Sequence, residues 1–221
     1  MTKKDLIDKA VYIQFPYSYT TYKQYSVGKE INKLPLAERG LMYDGWAKNN
    51  NHYTPEYHRK YVLPLLSKLL NIDINIDDFV EDNRYSGKYN ISLLHPKKEF
   101  RYEIYGYTRG EHFDGISFDE LVKNTSTNDD ITDYHRLYKY SHECSRIINK
   151  TIDNERKLFI SGDSQLIPDV SLLSCFFQEV WYFDNRKNLT LSDKWVDVNF
   201  TDVLIELNCT EAWTYVDRNF K

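Results

Sequence analysis

The sequence predicts an α/β fold, a three-layer sandwich around a mainly parallel central sheet. The first reason lies in the C-terminal third. There the short apolar runs "KLFIS", "VWYFD" and "DVLIEL" alternate with longer segments, among them the helix-patterned "DVSLLSCFFQE". Unbroken apolar strands suit burial on both faces, and parallel neighbours need crossover helices between them. The second reason is size: 221 residues, 41% of them apolar, suffice for one sizeable core. No repeat, low-complexity tract or linker divides the chain, so one domain covering 1–221 is expected.

The remaining elements follow in chain order. "AVYIQFPYSY" reads as a buried strand closed by Pro16. "LPLAERGLMYDGWAKN" sets Leu36, Arg39 and Met42 at helical spacing and stops at Gly45. In "YHRKYVLPLLSKLLN", Tyr61, Leu65, Leu66, Leu69 and Leu70 form a helical apolar stripe, with Thr54 and Pro55 as start signals upstream. "DINIDDFVEDNRYSGKYN" reads as a loop with a short helix. "YNISLL" and "FRYEIYGYT" alternate like strands, and "HPKKE" between them suggests a hairpin or a pair of edge strands. The polar "GEHFDGISFDELVKNTSTNDD" reads as a surface insertion, which puts an inserted hairpin and loop region at about 85–130. "DYHRLYKYSHECSRIINKTI" reads as a helix.

Composition narrows the function classes. The charge balance of 29 − 33 = −4 gives no basic footprint for nucleic acid. No apolar stretch approaches the roughly 18 residues of a membrane span, and the N-terminus lacks a leader's apolar core. The chain as it stands is therefore expected in the cytoplasm. Three separated cysteines form no CxxC pair, an odd count that fits a reducing compartment. Cys175, inside "LLSCFF", is expected to be a buried hydrophobe. Nineteen tyrosines suit a wet, hydrogen-bonding surface such as a carbohydrate cleft, and low-GC coding explains them equally well. No metal and no cofactor is expected. "DINIDDFVEDN" lacks the glycine and terminal glutamate of a calcium loop, and Asp44, His52, Glu56 and His58 have no recognised ligand spacing.

Reactive groups in an open parallel sheet gather beyond the carboxyl ends of its strands. Ser164 holds such a place in "KLFISGDSQLIPDV", four residues past Ile160. Gly162 permits a tight turn, and N–H groups opening toward a helix can hold an oxyanion. Gly162, Asp163 and Gln165 are the candidate oxyanion and substrate residues. The tripeptide alone does not separate a nucleophile from a turn. A serine also needs a base, and of the six histidines His52 has the most suggestive context, on a loop before a helix start. His58 reads as solvated helix surface and His95 as a turn residue before Pro96. His112, His135 and His142 have no supporting context.

Three blocks in order resemble the SGNH-hydrolase-like family of the alginate O-acetyltransferase (AlgX/AlgJ, DHHW) type. "NNNHYTPEYHRKYVLPLL" resembles that family's Asp-x-His-Trp-(Ser/Thr)-Pro-Glu-Gly segment. "KLFISGDSQLIPDVSLLSCFFQEVWYFDNR" resembles its strand–Gly-Asp-Ser–helix–strand block, and "TDVLIELNCTEAWTYVDRNF" its closing strand. The resemblance implies that Ser164 is the nucleophile and His52 the general base. Asn50 stands where the family has an aspartate, Tyr53 where it has tryptophan and Tyr57 where it has glycine. The implied activity is a carbohydrate O-acyl (O-acetyl) esterase or transferase in polysaccharide modification. Its partners would be a carbohydrate acceptor and an acyl donor. The alternative is a catalytically impaired domain that binds glycan or a biosynthetic partner, because asparagine brings the imidazole no charge.

Overall fold

The computed structural model describes residues 3–13, 58–82, 93–107, 110–123, 144–162, 166–184 and 198–206. Helix α1 (Lys3–Lys9) runs directly into strand β1 (Ala10–Ile13). A widened π-type turn (His58–Val62) opens α2 (Leu63–Leu70), and a 3-10 turn (Ile76–Asp78) leads into β2 (Phe79–Asp82). Then come β3 (Leu93–Pro96), β4 (Arg101–Gly106), β5 (Glu111–Ser117) and α3 (Phe118–Lys123). The last described part holds β6 (Cys144–Asn149), β7 (Lys157–Gly162), α4 (Ile167–Leu173), β8 (Glu179–Asp184) and β9 (Asp202–Glu206).

Among the described residues, seven strands form one sheet in the order β1-β9-β7-β8-β6-β4-β5, and β2 pairs with β3 separately. Strands β1, β9, β7 and β8 run parallel, while β6, β4 and β5 continue the sheet antiparallel. The expected α/β fold is present, and its parallel half coincides with the apolar runs of the C-terminal third. Side-chain alternation sorts the two faces. Leu158, Ile160, Val180, Tyr182 and Leu204 join Leu63, Leu66 and Leu70 of α2, Phe118 and Leu121 of α3, and Val170 and Leu173 of α4 in one core. Phe159, Trp181, Phe183, Val203 and Ile205 point the other way, against Leu6 of α1 and Phe200. Each such side chain contributes about 1.5–3 kcal/mol on burial, so these strands sit where exposure on either face would be costly.

Several sequence expectations change. In α2 the buried stripe is Leu63, Leu66 and Leu70 with Val62 before it, and Leu65 is 42% exposed. The π-type turn rotates the helix relative to a uniform helical count from Tyr61. Of the two arrangements expected for "YNISLL" and "FRYEIYGYT", the described residues show separate strands and not the hairpin, since β4 pairs with β5 and β6. Strand β3 pairs with β2, inside the segment read as a loop, and Lys97 N–H donates to Asp78 O at 2.8 Å to extend that pairing. His95 therefore lies in a strand, its ring edge-on to Phe118 with centroids 5.0 Å apart. "GEHFDGISF" is polar because it is an edge strand, as edges need to be. Gly115 takes φ +69° there, at the register shift opposite Tyr102 and Glu103. After it, Ser117 and Glu120 close a reciprocal cap on α3: Ser117 N–H donates to Glu120 Oε2 at 2.7 Å, and Glu120 N–H to Ser117 Oγ at 3.2 Å.

Of the helix expected over "DYHRLYKYSHECSRIINKTI", 133–143 lie outside the described residues, and Cys144–Asn149 is instead β6, the strand joining the antiparallel half to β8. Asn149 ends it. Its buried amide donates to Ser174 O at 2.8 Å and accepts from Thr151 N–H at 2.9 Å, so Asn149 is held in the core. The helix read at "DVSLLSCFFQE" starts earlier, at Ile167, and ends at Leu173. The helix read at 34–49 lies outside the described residues.

Candidate active site

The candidate site lies at the carboxyl ends of the central parallel strands. Strand β7 ends at Gly162, β8 at Asp184 and β9 at Glu206. Gly162 is in register with Asp184, and Ser161 with Ile205, which brings Glu206 alongside Gly162 on the other flank. By alternation Gly162, Asp184 and Glu206 share the face of Ile160, Tyr182 and Leu204, the face covered by α4. Asp184 and Glu206 are 3% and 1% exposed, so two carboxylates are buried on either side of a residue without a side chain.

Gly162 is required by space and not by its turn. Its φ is not left-handed, which replaces the expectation that a tight turn calls for it. A Cβ there would lie 2.8 Å from Glu206 Oε2, 2.8 Å from Leu166 Cδ2 and 3.2 Å from Leu166 Cβ. The two ends of the segment 162–166 thus touch each other, and Glu206 closes against the same spot. Tyr182 Oη donates to Gly162 O at 3.2 Å and fixes the strand end from β8. Beyond the segment, Asp169 N–H and Val170 N–H donate to Leu166 O at 3.0 and 3.1 Å to start α4. Gly162→Ala is expected to lower stability by about 1–3 kcal/mol, the usual cost of overpacking. A urea midpoint unchanged from wild type would contradict the close approach.

Of the residues named from sequence, the structure places Gly162. Ser164, Asp163, Gln165, His52 and Asn50 lie outside the described residues. Sequence reasoning missed Asp184 and Glu206. The available signal was an acidic residue closing each apolar run, in "VWYFD" and "DVLIE".

The other candidates for chemistry have structural roles. Burial pushes the Cys175 thiol up to about 12, against the opposing effect of the Tyr102 hydroxyl 3.6 Å away, so it is the expected buried hydrophobe. Glu179 lies at the amino end of β8. Burial alone would raise its carboxyl, but Arg146 Nε and Trp181 Nε1, each 2.7 Å from Oε1, and Lys157 Nζ outweigh it and hold it low. His112 stacks on Tyr105 with centroids 4.3 Å apart and lies 2.9 Å from Glu103. Among the described residues no group of acidic, histidine or cysteine side chains is arranged to hold a metal, and no helix is long and apolar enough to cross a membrane.

No family model matches the sequence, and no curated protein matches it. Solved structures do. PatB1 of Bacillus cereus with a sulfonyl adduct is similar over 95% of this chain and 86% of its own, with TM-score 0.66 and 15% identity. A second PatB1 structure covers the same shares at TM-score 0.64 and 14% identity. A DHHW family protein from Eubacterium siraeum matches over 92% of this chain and 78% of its own, with TM-score 0.56 and 16% identity. The chain has the α/β fold of PatB1 and of the DHHW family protein, in agreement with the resemblance read from its three sequence blocks.

Proposed function

We propose that the protein is a carbohydrate O-acyl esterase or transferase working through a serine acyl-enzyme. The observation that carries this reading is the place of β7. The strand that leads into Gly-Asp-Ser ends at the carboxyl edge of the parallel half, between β8 and β9, and α4 follows at once. That is where an open α/β sheet exposes a nucleophile and where N–H groups converge on a developing oxyanion. PatB1 carries a sulfonyl adduct, and sulfonyl electrophiles capture activated nucleophiles, which supports the same chemistry for this chain.

In this mechanism Ser164 Oγ attacks the acyl carbonyl carbon while His52 takes its proton. The tetrahedral oxyanion accepts hydrogen bonds from backbone N–H groups near Ser164 and Gln165, and Gly162 and Asp163 shape the approach. Collapse expels the donor alkoxide, which leaves with the proton from His52. A sugar hydroxyl or water then gives its proton to His52, attacks the acyl-serine and restores Ser164. The test is turnover of a small activated acetyl ester by the intact chain, with and without oligosaccharide acceptors. Hydrolysis, or acetyl transfer to an oligosaccharide, is the expected result. Absent turnover together with saturable oligosaccharide binding would replace the enzyme with a glycan-binding domain, the reading that Asn50 favours.

A further inference from the structure

Strand β5 is the last strand of the seven-stranded sheet, and among the described residues it has one neighbour, β4. An edge strand offers a row of backbone N–H and C=O groups on which another chain can extend the sheet. The space beside this edge is open: a Cβ built at Gly115, or at Gly110 just before the strand, meets nothing within 4 Å. We propose that β5 is a guarded edge, in which the Gly115 bulge, an Arg101 cap and a Lys150 bridge together keep a second copy of this chain from adding its own β5 to the sheet.

The bulge comes first. Glu103 is in register with Asp114 and Tyr102 with Ile116, so Gly115 is the extra residue, and its φ of +69° turns it out of the ladder. Arg101 then caps it. Nη1 donates to Gly115 O at 3.1 Å, which occupies the carbonyl of the extra residue and sets a guanidinium at the edge. Lys150 forms the bridge: its ammonium reaches Asp114 of β5 and, at 3.2 Å, Glu103 of β4. His112 lies 2.9 Å from the same Glu103. The Tyr105 hydroxyl, His112 and Lys150 outweigh burial and hold the Glu103 carboxyl at about 2, so it stays anionic. Both His112 and Asp114 are exposed, and an added strand would have to strip water from this polar row.

The register shows what the bulge prevents. A two-fold antiparallel pairing centres on one residue, because facing side chains must share a face of the sheet. Centred on Asp114, it sets like charges opposite each other, which is unfavourable. Centred on Phe113, it sets Phe113 against its own copy and His112 against Asp114 of the second copy, both favourable pairs. Glu111 then falls opposite Gly115 of the second copy, where the bulge breaks the ladder. Without Gly115, Glu111 would face Ile116 instead and the ladder would continue.

Deleting Gly115 leaves the other β5 residues in register with β4. The intact chain with this deletion is expected to associate through β5. Sedimentation velocity at micromolar concentrations should show its mass doubling relative to wild type. Hydrogen exchange should show amides within Glu111–Ser117 slowing as concentration rises, whereas in wild type their exchange is expected not to depend on concentration. A folded deletion variant that sediments like wild type and gains no protection in β5 would overturn the proposal. So would wild-type protein whose β5 amides gain protection with concentration, because the edge would then already be an interface. Should the deletion variant fail to fold, Arg101→Ala combined with Asp114→Thr removes the cap and one end of the bridge. Concentration-dependent protection of β5 above the wild-type level supports the guard, and wild-type behaviour overturns it.

Discussion

Ser164→Ala is expected to cut esterase turnover by roughly four orders of magnitude or more, the scale seen when a serine nucleophile is removed from a triad. Among the described residues, neither Ser161 nor Cys175 can take its place. Ser161 is 2% exposed and faces the opposite core with Phe159 and Ile205, so it cannot reach a substrate above Gly162. Cys175 is buried with its thiol held at about 12, far from the thiolate a nucleophile needs. Rates would be measured on a small activated acetyl ester, with the thermal midpoint as the folding control. A folded Ser164→Ala variant retaining wild-type turnover would move the chemistry to another residue. Loss of turnover with oligosaccharide binding intact would separate chemistry from acceptor recognition.

The largest stability effect is expected at Trp181. It is 1% exposed in the middle of β8, with Phe183 stacked beside it and Phe200 edge-on at 6.3 Å. Trp181→Ala removes that packing and leaves a cavity that paired strands cannot close, a change that costs about 3–5 kcal/mol. It also takes from Glu179 the indole N–H donor at 2.7 Å. Arg146 and Lys157 remain as partners for the carboxylate, while Arg146 loses the ring face 5.5 Å from its guanidinium. Trp181→Phe keeps most of the ring and is expected to lose less. Urea unfolding of both variants measures the difference, and equal midpoints for wild type and Trp181→Ala would contradict the assigned core.

The sequence made some of this legible for a physical reason. Strands β7, β8 and β9 are buried on both faces, so their residues had to be apolar without interruption and stood out as runs. Edge and junction strands obey weaker constraints. In β5, an edge position invited charge and glycine, and the segment read as a surface loop. In β6, alternation was hidden beside the polar "DYHRLYKYS", whose helical pattern extended over it. The cap of α3 was readable in "SFDE", a serine followed three residues later by glutamate. At the site, Gly162 was singled out, but only coordinates reveal that Glu206 and Leu166 crowd it. Spatial neighbours contributed by β9 leave no mark in the local sequence of β7.

The central claim is that the hydroxyl two residues beyond Gly162 is an activated nucleophile. It is tested most directly by treating the intact chain with an aryl sulfonyl fluoride and locating the adduct by peptide mass mapping. The account predicts one sulfonyl group on Ser164, formed at a rate that falls when His52 is replaced by alanine. An unmodified Ser164, or a Ser164 labelled equally fast without His52, would contradict it.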